Sequence, residues 1–345
     1  MKTPPFLTKG DKVAIVTPAK QINASAIERA IKIFSGWGLK VVVGSNALSK
    51  SNYFAGDDED RVADFQQMLD DNTVKAIFCA RGGYGTIRLI DKLDFTKFVN
   101  NPKWIVGYSD ITVLHSHIQQ NFEIDTLHAI MPLDYPEDEE DSVALNMLKE
   151  VLFNEKDLKY AFPTVEQSRK GFEHGILTGG NLSVLLSVMG SSSEVNLDGK
   201  ILFIEEVGEQ LYHFDRMIQT LKRAQKLVNL KGIIVGQMSN MEDNKGELSF
   251  GKSIEEIVLE AVEEYDFPVC FNFPAGHVKE NLPMIFGRHI SLSVREDISS
   301  IEFFSSNNKE IRKTTYKNIA ISGLTIVAMF VIIYLLYSVA IHLIR

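Results

Sequence analysis

The chain has 345 residues, enough for two domains, with 45% hydrophobic and 23% charged residues, the balance of a globular protein. A formal net charge of −9, with no basic stripe in the body of the chain, argues against nucleic acid as a partner. Two cysteines, Cys79 and Cys270, each inside an apolar strand-like run, make no disulfide framework and read as small buried hydrophobes.

In chain order, the N-terminus is not a signal peptide, because its apolar run VAIV is too short. KVAIVTPA reads as a strand. INASAIERAIKIFSGWG reads as a helix through Ile27, Ile31 and Ile33, with Gly38 as its stop. LKVVVGS is a strand, and DDEDRVADFQQMLDD a helix opened by acidic residues. VKAIFCA is a strand, RGGYG a loop and TIRLIDKL helix-like. WIVGYS is a strand that runs into the helix DITVLHSHI. Strands alternating with helices imply a parallel sheet covered on both faces.

Residues 133 to 170 break that rhythm, acidic and turn-rich with one short helix. From Gly175 a second unit reads as GGNLSVLLSVMG (helix), KILFIEE (strand), LYHFDRMIQTLKRAQ (helix) and GIIVGQ (strand). SIEEIVLEAVEEY follows as a helix with a capping box of Ser253 and Glu256, then PVCFNF and short strands to about Phe304. The expected division is 1–150, a linker over 151–174, and 175–305. Residues 319 to 341 carry no charge and would make a helix of ~35 Å, enough to cross a bilayer core of about 30 Å. With Lys309, Arg312, Lys313 and Lys317 in a basic linker over 306–318, the expectation is a cytoplasmic body on one C-terminal span in the inner membrane.

Ligands of parallel sheets bind beyond the carboxyl ends of the strands. Three loops stand out there. Arg81-Gly82-Gly83-Tyr84-Gly85 is neither a P-loop nor a dinucleotide fingerprint, but its glycines allow close backbone approach, or make a plain turn. Ser109, in Gly107-Tyr108-Ser109-Asp110, is either a helix N-cap or a nucleophile on a strand-to-helix elbow that lacks the usual final glycine. His277, in PAGH, is a general base or a structural histidine. Glu205 and Glu206 end an apolar strand, where carboxylates are unusual unless paired. Together these offer Ser, His and Glu in triad order. Metal is not indicated: there is no H-E-x-x-H or C-x-x-C, His115 and His117 lie on different helix faces, and triad hydrolysis needs neither metal nor cofactor.

The set YFAGDDEDR (53–61), RGGYG (81–85), GYSD (107–110), LTGGNLS (177–183), LFIEEVGE (202–209), YHFDRM (212–217), PAGH (274–277) and NLPMIFG (281–287) resembles the LD-carboxypeptidases, the serine peptidases of the murein tetrapeptide carboxypeptidase and microcin-immunity type. The resemblance runs in order from about residue 4 to 305. It implies an α/β fold: an N-terminal parallel-sheet domain like a class I glutamine amidotransferase and a smaller β-rich C-terminal domain. It implies Ser109 as nucleophile, His277 as base and Glu205, rather than Glu206, as its orienter. The oxyanion hole would be backbone N–H groups of Gly82 or Gly83 and of Asp110. Arg81 and Arg216 are the candidates for the substrate's terminal carboxylate. The implied reaction is release of the terminal D-Ala from a murein tetrapeptide in peptidoglycan recycling. The alternatives are a microcin-immunity-type peptidase acting on a peptidyl-nucleotide and a non-catalytic, membrane-tethered binding protein. Members often dimerise, so a homodimer is expected. After His128 the family more often has Gly-Pro, where this chain has Ala129-Ile130-Met131-Pro132.

Overall fold

The computed structural model describes residues 1–137, 142–154, 158–243 and 248–304. From the N-terminus come β1 (Lys12–Val16), α1 (Ala24–Gly36), β2 (Lys40–Val43), α2 (Asp58–Asp70), β3 (Val74–Cys79), α3 (Thr96–Asn100), β4 (Trp104–Gly107), α4 (Thr112–Phe122) and β5 (Thr126–His128). After them come α5 (Val143–Phe153), β6 (Leu158–Pro163), β7 (Gly171–Asn181), α6 (Leu182–Ser187), β8 (Lys200–Val207), α7 (Leu211–Arg223), β9 (Gly232–Ser239) and α8 (Ile254–Ala261). The last strands are β10 (Val269–Cys270), β11 (Met284–Phe286), β12 (His289–Val294) and β13 (Ile298–Phe303).

Local sequence explains the helix ends. Asn23 caps α1 by accepting the Ala26 N–H, and Ala26, Ile27, Ala30, Ile33 and Phe34 recur at helical spacing on the buried face. Gly38, at φ +84°, takes the left-handed turn after it. Asp57 and Asp60 cap α2 reciprocally, and Ser253 and Glu256 do the same for α8. TIRLIDKL forms two short 3₁₀ turns, Thr86–Arg88 and Ile90–Lys92, rather than an α-helix. Its hydrogen bonds run from Arg88 to Gly85 and from Leu89 to Thr86, the three-residue spacing that also buries Thr86 and Leu89.

Two sheets result, both within the compact unit Met1–Phe304. The first has the order β11-β5-β4-β3-β1-β2, parallel except for β11, which pairs antiparallel with β5. The second has the order β10-β9-β8-β7-β12-β13-β6. Its β10-β9-β8-β7 half is parallel, and β12, β13 and β6 add an antiparallel half. Part of the stretch read as linker is therefore structured: β6 pairs along its length with β13. Cys79 and Cys270 are buried and unpaired with each other, and burial raises both thiols, Cys270 to about 11.

The sheets meet where β7 ends. Gly180 lies so close to α4 that a Cβ there would sit 2.4 Å from Thr112 Oγ1, and the next N–H, of Asn181, donates to that oxygen at 3.0 Å. β11 returns from the second half of the chain to close the first sheet. These contacts bring the carboxyl ends of β3 and β4 up to those of β8 and β10.

The expected membrane span is corrected. No helix among the described residues is long and apolar enough to cross a membrane. The longest, α1, α2 and α7, have 13 residues each, or ~20 Å against the ~30 Å of a bilayer core. The segment on which the span and the inner-membrane location rested, 319–341 with the basic linker 306–318, lies outside the described residues.

Candidate active site

Ser109 stands at the turn between β4 and α4 with φ +63°, a left-handed conformation that is uncommon for a side-chain-bearing residue. Tyr108 before it is extended, and Ser109–Ile111 form a 3₁₀ turn that leads into α4. The turn is tight. A Cβ on Gly107 would lie 2.9 Å from Ile111 Cγ1, so only glycine fits there. The N-cap reading of Ser109 does not hold, since no side-chain cap bond is made at this helix start.

Glu205 and Glu206 are adjacent on β8, yet both are buried. Neighbours on a strand point to opposite faces, and both faces of β8 are covered: Ile201 and Phe203 pack into one core, Leu202 and Ile204 into another. Ile204 pairs with Val235 and Glu206 with Met238, so β9 carries one extra residue opposite Glu205. The two carboxylates point apart. Glu206 accepts from Asn181 Nδ2 at 2.8 Å, from Ser183 N at 2.8 Å and from Val207 N at 2.9 Å, which ties it to the start of α6. Glu205 Oε2 instead meets His277 Nδ1 at 2.7 Å.

His277 is placed by its loop. The Gly276 N–H donates to Asn281 Oδ1 at 2.9 Å, and Ser239 Oγ donates to the His277 carbonyl at 2.9 Å. Gly276 has φ +126°, and a Cβ there would lie 3.0 Å from Glu205 Cβ. The far nitrogen, Nε2, lies 3.0 Å from Ser109 Oγ. Ser109, His277 and Glu205, from three separate stretches of the chain, thus form one hydrogen-bonded line. Tyr108 packs edge-on against the His277 ring, with centroids 4.9 Å apart. Burial alone would lower the His277 pKa, but the Glu205 hydrogen bond and the charges of Glu205, Glu206 and Asp134 outweigh it, and the pKa stands above the usual 6.5.

The glycine loop after β3 closes the site. A Cβ on Gly82 would lie 3.0 Å from Ser109 Cβ, 3.1 Å from Ser109 Oγ and 3.3 Å from Asp110 N. Gly83, at φ +111°, faces Lys20 and Tyr53 instead. Asp110 is buried, and its carboxylate accepts the Thr86 N–H at 2.8 Å. Arg81 is partly buried. Its Nη1 donates to the Gln21 carbonyl at 3.0 Å, its buried Nε has no protein partner among the described residues, and its charge acts on Tyr108 and Asp134. Arg216 is not drawn into this group. It lies on the exposed side of α7, stacked over the Tyr212 ring at 5.3 Å.

Three neighbours escaped the sequence reading. Tyr108 lies inside the quoted GYSD, but nothing in the sequence tells its ring to pack on a histidine 169 positions away. Asp134 sits in a stretch that reads only as acidic and turn-rich. Asn281 is wholly buried, and only the NLPMIFG run signals it.

Comparison with known proteins identifies the family. Residues 13–129 match the LD-carboxypeptidase N-terminal domain and residues 174–292 the LD-carboxypeptidase C-terminal domain. A Bacillus subtilis protein named "Probable murein peptide carboxypeptidase" is 33% identical over 302 residues, 87% of this chain and 94% of its own. The murein tetrapeptide carboxypeptidase of Pseudomonas aeruginosa is 25% identical over 286 residues, 80% of this chain and 91% of its own. In fold, the chain is similar to the crystal structure of muramoyltetrapeptide carboxypeptidase from Oxalobacter formigenes, with a TM-score of 0.77 at 24% identity, over 85% of this chain and 98% of that one. With both family domains matched in order, the chain belongs to the LD-carboxypeptidase family and is a serine-type carboxypeptidase.

Proposed function

We propose that this carboxypeptidase releases the terminal D-Ala of murein tetrapeptides, cutting between an L-centre and a D-residue in peptidoglycan recycling, through a Ser109–His277–Glu205 triad. The observation that carries the mechanism is the hydrogen-bonded line from Ser109 Oγ to His277 Nε2 at 3.0 Å and from His277 Nδ1 to Glu205 at 2.7 Å. The names of the relatives support the substrate class.

In this reading Ser109 Oγ attacks the scissile carbonyl and its proton passes to His277 Nε2. Glu205 accepts the Nδ1–H bond, fixes the tautomer and stabilises the imidazolium that forms. The negative oxygen of the tetrahedral intermediate meets the backbone N–H of Asp110 and of the Gly82–Gly83 loop. The space a Cβ on Gly82 would fill, beside both Ser109 Oγ and Asp110 N, supports that assignment. His277 returns the proton to the amine of the leaving D-Ala, and water, activated by the same histidine, releases the acyl group from Ser109. For the free terminal carboxylate Arg81 is the better supported arginine, because it belongs to the loop beside Ser109 while Arg216 is committed to Tyr212.

The test is mass spectrometry of murein tri-, tetra- and pentapeptides incubated with the protein and with Ser109→Ala. D-Ala released from the tetrapeptide alone, and not by the variant, is the expected result. A tetrapeptide left intact by a folded protein overturns the substrate, and full activity in Ser109→Ala overturns the nucleophile.

A further inference from the structure

The glycine loop that would supply one of the oxyanion donors proposed above has its last residues gripped from two sides. Asp110, the residue after Ser109, is 3% exposed, and its Oδ2 accepts the Thr86 N–H at 2.8 Å. Arg61 comes from α2 and is 2% exposed. Its Nη1 donates to two carbonyls on different loops, Pro18 at 2.7 Å and Gly85 at 3.2 Å, and its Nε donates to the Asp57 carbonyl at 3.2 Å. Its Nη2 pairs with Asp58, which Arg88 Nε holds in turn at 2.9 and 3.0 Å. The Phe54 ring covers the guanidinium at 4.6 Å.

Gly85 is shaped to this contact. Its φ is +147°, and a Cβ there would lie 2.5 Å from Arg61 Nη1. A buried guanidinium is expensive unless its donors are met, and here three of the bonds go to main-chain carbonyls of three separate segments. An arginine that needed only a salt bridge would not have to be buried against Pro18 and Gly85. The arrangement fixes backbone, and the backbone it fixes leads back through Gly83 to Gly82, against Ser109 Oγ.

We infer that Arg61 and the Asp110 carboxylate are positioning residues, which hold the Gly82–Gly85 loop at the separation from Ser109 where its N–H can receive the oxyanion. Neither side chain touches the triad. The inference rests on the serine mechanism proposed above but not on murein as the substrate.

The test compares wild type with Arg61→Met, Arg61→Lys, Asp110→Ala and Asp110→Asn. Two quantities are read: kcat and KM on the tetrapeptide, and the rate at which a fluorophosphonate labels Ser109. The fluorophosphonate places its phosphoryl oxygen in the same hole and needs no peptide. Arg61→Met and Asp110→Ala are expected to lower kcat and the labelling rate about 10- to 100-fold, with KM within about threefold, since complete loss of one oxyanion donor costs on the order of 10²–10³. Arg61→Lys and Asp110→Asn keep a donor or an acceptor in the grip and are expected to recover most of the loss. Rates within about twofold of wild type in Arg61→Met overturn the inference, as does a KM that rises in step with the fall in kcat. If circular dichroism shows Arg61→Met unfolded, Arg61→Gln, too short to reach both carbonyls, carries the same expectation. A wild type that labels at Ser109 yet spares the tetrapeptide defeats the murein reading alone, and the labelling series still decides the grip.

Discussion

In the proposed mechanism His277 must be neutral to take the Ser109 proton, yet its surroundings favour the charged form. Activity should therefore rise with pH through a midpoint above the ordinary histidine value of about 6.5. Replacing Glu205 by Gln removes the main raising influence, so the acid limb of kcat/KM is expected to move to lower pH. The rate itself should fall by on the order of 10⁴, as when the orienting acid of a triad is lost. A pH–rate profile of the two proteins checks both, and an unmoved limb sinks the coupling. The stability linkage has the opposite sense. A pKa raised in the fold contributes stability that is complete below the unfolded value and is lost as pH rises through the folded one. Catalysis thus becomes available in the range where that contribution disappears. At the same scale, Arg81→Ala should raise KM about tenfold or more while kcat changes little, if Arg81 holds the substrate carboxylate. A fall in kcat at constant KM would assign it elsewhere.

Two local devices make the site, and each depends on one glycine. The β4–α4 junction holds Ser109 at φ +63° because Gly107 leaves room for Ile111. The alternation of β8, covered on both faces, buries Glu205 and Glu206 on opposite sides, and Gly276 lets the histidine loop pass over Glu205. Gly276→Ala would place a methyl 3.0 Å from Glu205 Cβ and 3.1 Å from Oε2, in a conformation that alanine disfavours. Steady-state kinetics should show kcat down by roughly tenfold or more, because a displacement near 1 Å in a catalytic group costs on the order of 10²-fold. Wild-type kcat in a folded Gly276→Ala would show that the loop has slack. The element scale is also where sequence reading was partly blind. Alternating apolar runs and acidic or capping residues made β1 to β4 and the helices α1, α2 and α4 legible, whereas the short α3 and β5 went unread. The 3₁₀ turns after Gly85 were not legible as such, because an apolar spacing of three fits both helix types. Nor was β6 legible, since an edge strand is specified by the partner it pairs with, here β13.

At the scale of the whole molecule, the Ser109–His277–Glu205 line is assembled only because the two sheets are joined, Ser109 standing on the first and Glu205 on the second. Arg288, after β11, donates to Asp125 Oδ2, before β5, at 3.2 Å, and both are buried. Burial on its own would raise the Asp125 carboxyl, and Arg288 and Thr3 oppose that rise. Arg288→Ala would strand the carboxylate, at a cost of about 3–5 kcal/mol, measurable as a lower urea midpoint. An unchanged midpoint would mean that β11 and the Gly180–Thr112 contact suffice to join the sheets.

What the sequence determined by itself was local or near-local: the order of strands and helices, the caps, and loops rich in glycine at strand ends, because these depend on propensity and periodicity within a few residues. With the motifs read together it also pointed to the family and to Ser109, Glu205 and His277. Tertiary structure alone decided that Arg216 turns away while Arg81 stays near, that the Tyr108 ring packs on His277, and that Arg61 reaches across two loops. Those outcomes hang on a methyl's worth of space at Gly85 and on contacts between residues far apart in the chain, and no spacing along the chain encodes such distances.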